Sequence, residues 1–361
     1  MRVLLTSHTY AAPGNQAKLA ALAAVPDVEL TVVIPAQWQD RLFTLHGATA
    51  QGAYRLITLP TLGLQRPNTF TYRANLHQLL SAVAPDILHI EQEPRSLAAT
   101  HWLWANRGRA KSLIFTWENI EQPRRVPLSQ FERYVLRRAN GLVGGNAASI
   151  GLLRAKNYRG LTRILPQLGV DLFDERATPL PIQLDLNNQF VVGFVGRLVD
   201  EKGLGDLVQA VQDVPNTHLL ILGGGPWRSR LATLPNVTVC PTVPHAEVPA
   251  YLAAMHVLVL PSRTLPKWKE QFGHVLIEAM ACGVPVIGSD SGAIPEVIAD
   301  AGLIFPEGDV AALRAAIVRL RDDAALRAEF SAKGRARVLA HYTHQRIAEQ
   351  TVAIYRELLQ R

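Results

Sequence analysis

Two periodicities alternate along the chain. Short apolar runs rich in Val, Ile and Leu stand at Val3–Ser7, Leu30–Ile34, Tyr54–Leu59, Asp86–Ile90, Ser112–Thr116, Gly141–Gly144 and Arg163–Leu165. Between them lie longer stretches with helical spacing, such as Ala17–Ala24 and Tyr72–Val83. A strand that is apolar on both faces belongs in a sheet covered by helices on both sides. The alternation therefore predicts an α/β chain of parallel sheets.

The pattern pauses at Gly169–Asn188, GVDLFDERATPLPIQLDLNN, where prolines and acids follow no period. Such a stretch reads as a connection between domains. A second series follows at Phe190–Val195, His218–Leu222, Val237–Cys240, Val257–Leu260, Pro285–Gly288 and Leu303–Phe305. The expected organisation is a first Rossmann-like domain over 1–170, a second over 171–342, and a closing helix over 343–361 that returns to the first domain. A length of 361 residues suits two domains.

Composition adds little to the fold and more to the surroundings. The two cysteines, Cys240 and Cys282, are far apart and read as buried thiols of a reducing compartment. MRVLLTSHTY reads as a first strand, not a signal peptide, and no run reaches a membrane-spanning length. The expected location is cytoplasmic. The net charge of +7 is uneven, at +10 over residues 1–170 and −3 over the rest. A basic first half suits either a solvated surface or an anionic partner. Gln122–Asn140 places Leu128, Phe131 and Val135 on one helix face near Arg133, Arg137 and Arg138. That helix either covers the sheet or lies on an anionic membrane, peripherally at its inner face. A nucleic-acid partner is not expected, since no recognition motif accompanies the charge.

Candidate chemistry gathers in the second half. In GFVGRLVDEKG, Gly193–Gly203, a strand ends at Gly196 with Arg197 and Lys202 beside the turn. Ligands of open α/β sheets sit at the carboxyl ends of strands, where two cations can clamp a diphosphate. The plainer reading is a tight turn with two solvated cations. Gly223–Gly225 begins a dinucleotide-type glycine run without completing it, and reads as a strand-to-turn corner. EQFGHVLIEAMACG, Glu270–Gly283, carries two carboxylates around a nearly all-apolar helix. Glu270 precedes the helix and Glu278 lies within it, leaning back toward its N-terminus. A buried carboxylate is costly unless paired. These two either accept hydroxyls of a ligand at the helix terminus or are satisfied by protein neighbours.

These stretches resemble the retaining glycosyltransferases of family 4, which have the GT-B fold. The resemblance is carried by Glu270-QFGHVLI-Glu278 as an E-x7-E motif, GRLVDEKG at 196–203, VLVLPS at 257–262, CGVPVIGSDSGAIPEVI at 282–298 and AGLIFPEGD at 301–309. PDILHIEQEP at 85–94, RRAN at 137–140 and PQLGVD at 166–171 extend it loosely into the first half. It implies two Rossmann-like domains facing a central cleft. It implies transfer of a hexose from a nucleotide-diphosphate sugar to a glycan or lipid-linked acceptor in polysaccharide or glycoconjugate assembly, with no metal and no cofactor.

The same resemblance implies residue roles. Gly196, Arg197 and Lys202 bind the donor diphosphate, Glu270 the sugar hydroxyls and Glu278 the ribose. Phe272, Gly273 and His274 offer backbone N–H groups, Thr242 and Val243 border the base, and Gly14 lets a helix terminus approach the phosphate. Relatives place a His where this chain has Glu118 in IFTWENIEQ. Glu118 is thus a candidate to accept a sugar hydroxyl or stabilise oxocarbenium charge, or else a plain loop carboxylate. Glu91, Glu93 and Asn119 are acceptor-side candidates. The catalytic set is Glu270, Glu118, Arg197 and Lys202. Front-face substitution is the favoured route. A nucleotide-sugar epimerase, a phosphorylase or a non-catalytic sugar-nucleotide binder are the alternatives.

Overall fold

The computed structural model describes residues 1–39, 44–46, 49–63, 66–122, 126–173 and 189–361. The chain divides into two compact units. One is Met1–Gly169 with His344–Arg361, the other Val170–Thr343. Residues 174–188 of the connection read at Gly169–Asn188 lie outside the described residues.

The first unit is built on a seven-stranded sheet. Its spatial order is Leu161–Ile164, Gly141–Gly144, Lys111–Thr116, Ile87–Ile90, Arg2–Thr6, Glu29–Pro35 and Arg55–Leu59, with every neighbouring pair parallel. In sequence order the strands run 3-2-1-4-5-6-7, the doubly wound arrangement. Side chains alternate across the sheet. Leu4, Val33, Leu88 and Ile114 join a core with Leu76 and Trp102. Val3, Leu5, Val32, Ile87 and Phe115 join another, with Leu19 and Leu22 on one helix and Ile347, Val352, Tyr355 and Leu358 on the last helix, His344–Gln360. Each fully buried side chain of this kind contributes about 1.5–3 kcal/mol.

Two details differ from the sequence reading. Tyr72 is not helical: Thr71–Tyr72 pairs antiparallel with Thr61–Leu62. The helix begins at Leu76, where the Asn75 side chain accepts from Gln78 N at 3.0 Å. Helix Leu128–Arg138 turns its apolar face inward, with Val135 fully buried and Phe131 half-buried, while Arg133, Arg137 and Arg138 are exposed. The face that was a membrane candidate is therefore spent on the core. No helix among the described residues is long and apolar enough to cross a membrane.

The second unit repeats the plan with six parallel strands ordered Val237–Cys240, Thr217–Leu222, Phe190–Val195, Val257–Leu260, Val286–Ser289 and Gly302–Phe305. The order is again 3-2-1-4-5-6. In such sheets the connections leave in opposite directions from the first and fourth strands, which opens a crevice at their carboxyl ends. In the second unit those ends are Val195 and Leu260. In the first unit they are Thr6 and Ile90. Both cysteines are buried free thiols.

Candidate functional site

At the crevice of the second unit, two loops meet through glycine. Gly203 has φ +68° and caps the helix Leu204–Gln212. A Cβ there would lie 1.8 Å from the Pro261 carbonyl oxygen. Gly223 brings the GGG loop against the Gly196 carbonyl in the same way, a Cβ reaching within 1.9 Å of it. No other residue permits backbones to approach this closely. The consequence is local: the turn Asp200–Lys202 is pressed onto Pro261–Ser262, so that Lys202 reaches the segment leading to Glu270.

Lys202 Nζ lies 2.5 Å from Glu270 Oε2, and Ser262 Oγ donates to the same oxygen at 2.7 Å. Glu270 is 7% exposed. Its charge is offset by the ammonium and the hydroxyl, as burial demands. The Lys202 ammonium also sits 5.1 Å from the centroid of Trp268, in cation–π range. Arg197 is exposed and pairs with Glu201 at 3.2 Å, a surface contact of small energetic worth. That pairing leaves its guanidinium in solvent beside the crevice.

Glu278, 9% exposed, is inside helix His274–Ala281. Its Oε1 accepts from His274 Nδ1 at 3.1 Å and is 3.0 Å from His245 Nε2. Burial pushes the Glu278 carboxyl up, but the hydrogen bonds and charges of the two imidazoles outweigh it and hold the group well below the usual carboxylate range. The hydrogen bond to Glu278 in turn raises His245 above its ordinary 6.5; burial opposes this, and the charges of Glu278 and Asp171 support it. The buried carboxylate is thus compensated by two histidines.

A pH dependence follows from the directions of these shifts. A raised histidine contributes stability that is complete below about 6.5 and fades as pH climbs through its folded value. A lowered carboxyl contributes above 4.5 and is lost as pH falls. The pair therefore stabilises the second unit most between about pH 4.5 and 6.5. The melting-temperature gap between the wild type and His245→Ala is expected to be widest there and to narrow toward about pH 8. A gap that stays level across this range, measured by circular dichroism, counts against the pair.

The remaining donor-side candidates fall around the same strand ends. Gly273 caps helix His274–Ala281, and Phe272 is buried edge-on to Tyr342 at 5.7 Å. Thr242 is exposed and Val243 half-buried in the loop after Val237–Cys240, and a side chain at Gly224 would meet the Thr242 hydroxyl. Gly14 belongs to the first unit, exposed in the turn Pro13–Asn15.

The crevice of the first unit is filled differently. Glu91, an acceptor-side candidate, does not face solvent. Its side chain is wholly enclosed, with Oε1 2.5 Å from Lys18 Nζ and Oε2 accepting from Tyr10 at 2.6 Å and Gln167 at 2.9 Å. The charge of Lys18 and the donated bonds lower its pKa against the effect of burial. Glu93 is also engaged, accepting from Thr116 Oγ1 at 2.5 Å and Trp117 N at 3.0 Å. Both carboxylates hold loops together, and the enclosure of Glu91 corrects its reading as an acceptor-side group. Glu118 Oε1 accepts from Arg95 Nη1 at 2.8 Å, with Arg95 23% and Glu118 9% exposed at the side chain. Asn119 is half-buried. Among the described residues no cluster of three His, Cys, Asp or Glu side chains is placed to hold a metal ion.

Sequence reasoning missed Ser262, His245, Trp268, Arg95 and Lys18. Ser262 stood in the quoted VLVLPS run, but its role appears only when the Glu270 rotamer is known.

Residues 180–337 match the family described as glycosyl transferases group 1. The chain is 30% identical over 239 residues to a GDP-mannose-dependent monoacylated α-(1-6)-phosphatidylinositol monomannoside mannosyltransferase of Corynebacterium glutamicum, covering 63% of this chain and 61% of that one. It is 33% identical over 189 residues to the capsular polysaccharide biosynthesis glycosyltransferase CapM of Staphylococcus aureus, covering 48% of each. The chain thus spans between about half and three fifths of the length of these curated relatives. Among solved structures, sucrose-phosphate synthase from Thermosynechococcus elongatus superposes with a TM-score of 0.72 at 22% identity, over 100% of this chain and 99% of that one. HepE of Anabaena, solved in complex with UDP, gives 0.73 at 19% identity, over 99% and 100%. At these identities the structures speak for the fold. The two doubly wound parallel sheets and these superpositions give the chain the GT-B fold, and within it residues 180–337 carry the likeness to the group 1 glycosyl transferases.

Proposed function

We propose that this protein is a retaining glycosyltransferase that moves a hexosyl group from a nucleotide-diphosphate sugar to a hydroxyl of a glycan or lipid-linked acceptor. The observation that carries the proposal is the cluster of half-buried Lys202 with buried Glu270 and Ser262 at the crevice of the second unit. It sets a cation for the diphosphate beside a carboxylate for sugar hydroxyls. Arg197, exposed next to it, adds a second cation. Neutralising the leaving diphosphate is the main electrostatic task of such a transfer, and these two groups supply it without a metal or cofactor. Retention rests on the family resemblance, and front-face substitution accounts for it with the groups present.

The first unit is assigned the acceptor on the same resemblance, through Glu118 with Arg95, and Asn119. Its exposed arginines at 133, 137 and 138 suit phosphate-bearing acceptors at the cytoplasmic face of an anionic membrane. The relatives named above act on a phosphatidylinositol mannoside and in capsular polysaccharide synthesis, which supports this acceptor class.

The test is donor hydrolysis. The protein is incubated with GDP-mannose, UDP-glucose, UDP-N-acetylglucosamine and ADP-glucose in the presence of EDTA. Release of nucleoside diphosphate is followed by chromatography and the first-formed anomer by NMR. Slow release from one donor, unaffected by EDTA and giving the α-anomer first, is the expected result. Folded protein that turns over none of the four overturns the proposal, and an inverted product overturns the retaining mechanism.

A further inference from the structure

The helix carboxylate Glu278 has two oxygens, and they are not equivalent. Oε1 has a neighbour on each side: His274 Nδ1, from its own helix at 3.1 Å, and His245 Nε2, from the loop after Val237–Cys240 at 3.0 Å. A carboxylate oxygen has two lone-pair directions, so Oε1 is saturated. Among the described residues no group donates to Oε2. Two imidazoles from different elements therefore fix the carboxylate's rotation and divide its acceptor capacity.

We infer that His245 is a positioning residue of the donor site, which, with His274, occupies Glu278 Oε1 and reserves Oε2 for one hydroxyl of the donor's ribose. The inference deepens the proposed function and rests on Glu278 as the ribose contact. His245 does not need to touch the nucleotide. It acts by holding an anionic acceptor in one orientation, so that a hydroxyl meets it without the cost of ordering a freely rotating side chain. Its own side chain is 54% exposed, on a turn that begins at Pro244, so a substitution disturbs little packing.

The experiment measures the coupling between His245 and a single hydroxyl. Affinities for UDP and GDP, and for their 2′-deoxy and 3′-deoxy counterparts, are determined by calorimetry. The proteins are wild type, His245→Ala, His245→Gln and Glu278→Gln. In wild type, loss of one of the two hydroxyls is expected to weaken binding about tenfold, the size of a charge-assisted hydrogen bond. In His245→Ala that penalty is expected to fall to about threefold or less, with the deoxy nucleotide bound almost equally by both proteins. His245→Gln, which can still donate to Oε1, should restore much of the penalty.

A His245→Ala protein that loses affinity equally for ribose and deoxy nucleotides, or loses none, overturns the inference while Glu278→Gln still removes the ribose penalty. If Glu278→Gln leaves the penalty intact, Glu278 is not the ribose contact, and the reading beneath the inference fails with it.

Discussion

Replacing Lys202 by alanine is expected to lower kcat/KM for the donor by about a hundredfold to a thousandfold, the usual effect of removing one preorganised charge from a developing anion. The geometry gives a reason to expect the larger figure. The Lys202 ammonium lies 2.5 Å from Glu270, a carboxylate only 7% exposed. Its removal deprives the leaving diphosphate of a positive charge and also takes from Glu270 the ammonium that lies against its Oε2. Glu270 then binds its hydroxyl ligands from a worse starting state. Lys202→Arg keeps the charge but not the compact ammonium that fits between Glu270 and the Trp268 ring, so only partial recovery is expected. Arg197→Ala is expected to cost less, since its group is exposed and loses only a surface pair. Steady-state kinetics with the donor found in the hydrolysis panel decides the order. Equal turnover by Lys202→Ala and wild type removes Lys202 from the mechanism.

The second large effect concerns stability. Lys18→Met in the first unit is expected to cost about 3–5 kcal/mol, because it strands a fully enclosed Glu91 carboxylate. Tyr10 and Gln167 still donate to Glu91 Oε2, which softens the loss without cancelling the charge. For a unit of this size the loss corresponds to a fall in melting temperature on the order of 10 °C. The double change Lys18→Met with Glu91→Gln removes both charges and keeps an acceptor for the tyrosine, so it should recover most of the stability. Urea titration of the three proteins makes the comparison. A Lys18→Met protein as stable as the double variant counts against a charged pair in this core.

Much of the architecture was legible because parallel strands leave an unmistakable trace. The central runs, such as Val3–Ser7, Leu30–Ile34 and Val257–Leu260, are apolar on both faces, and the observed strands match the runs within a few residues. The small antiparallel pairs Gln37–Gln39 with Thr44–His46, and Thr61–Leu62 with Thr71–Tyr72, escaped notice. Strands of two or three residues carry too little alternation to register, and Tyr72 merged into the following helical pattern. In the site, Lys202, Glu270 and Glu278 were marked by residue type in a recognisable order. Their partners were not. His245 lies 33 positions before Glu278 in the chain, and Lys18 lies 73 before Glu91. Nothing local distinguishes either from an ordinary surface residue, and only the crossing order of the strands brings each to its carboxylate. The same distance explains why Glu91 looked open to an acceptor: its enclosure is made by residues from three separate parts of the sequence.

The last helix has a consequence for the order in which the molecule can be made. Ile347, Val352, Tyr355 and Leu358 complete a core whose other members include Val3, Leu5 and Leu19, and the Tyr355 hydroxyl lies 2.7 Å from the buried His89 Nδ1. On the ribosome, chains leave N-terminus first and domains tend to fold as they emerge. Here the second unit, Val170–Thr343, is entire before the residues that close the first have been translated. The first unit must therefore wait, with Val3, Leu5 and Leu19 short of their cover, while the second is synthesised. Of the two units, the one whose synthesis starts earlier is the one that closes its core later.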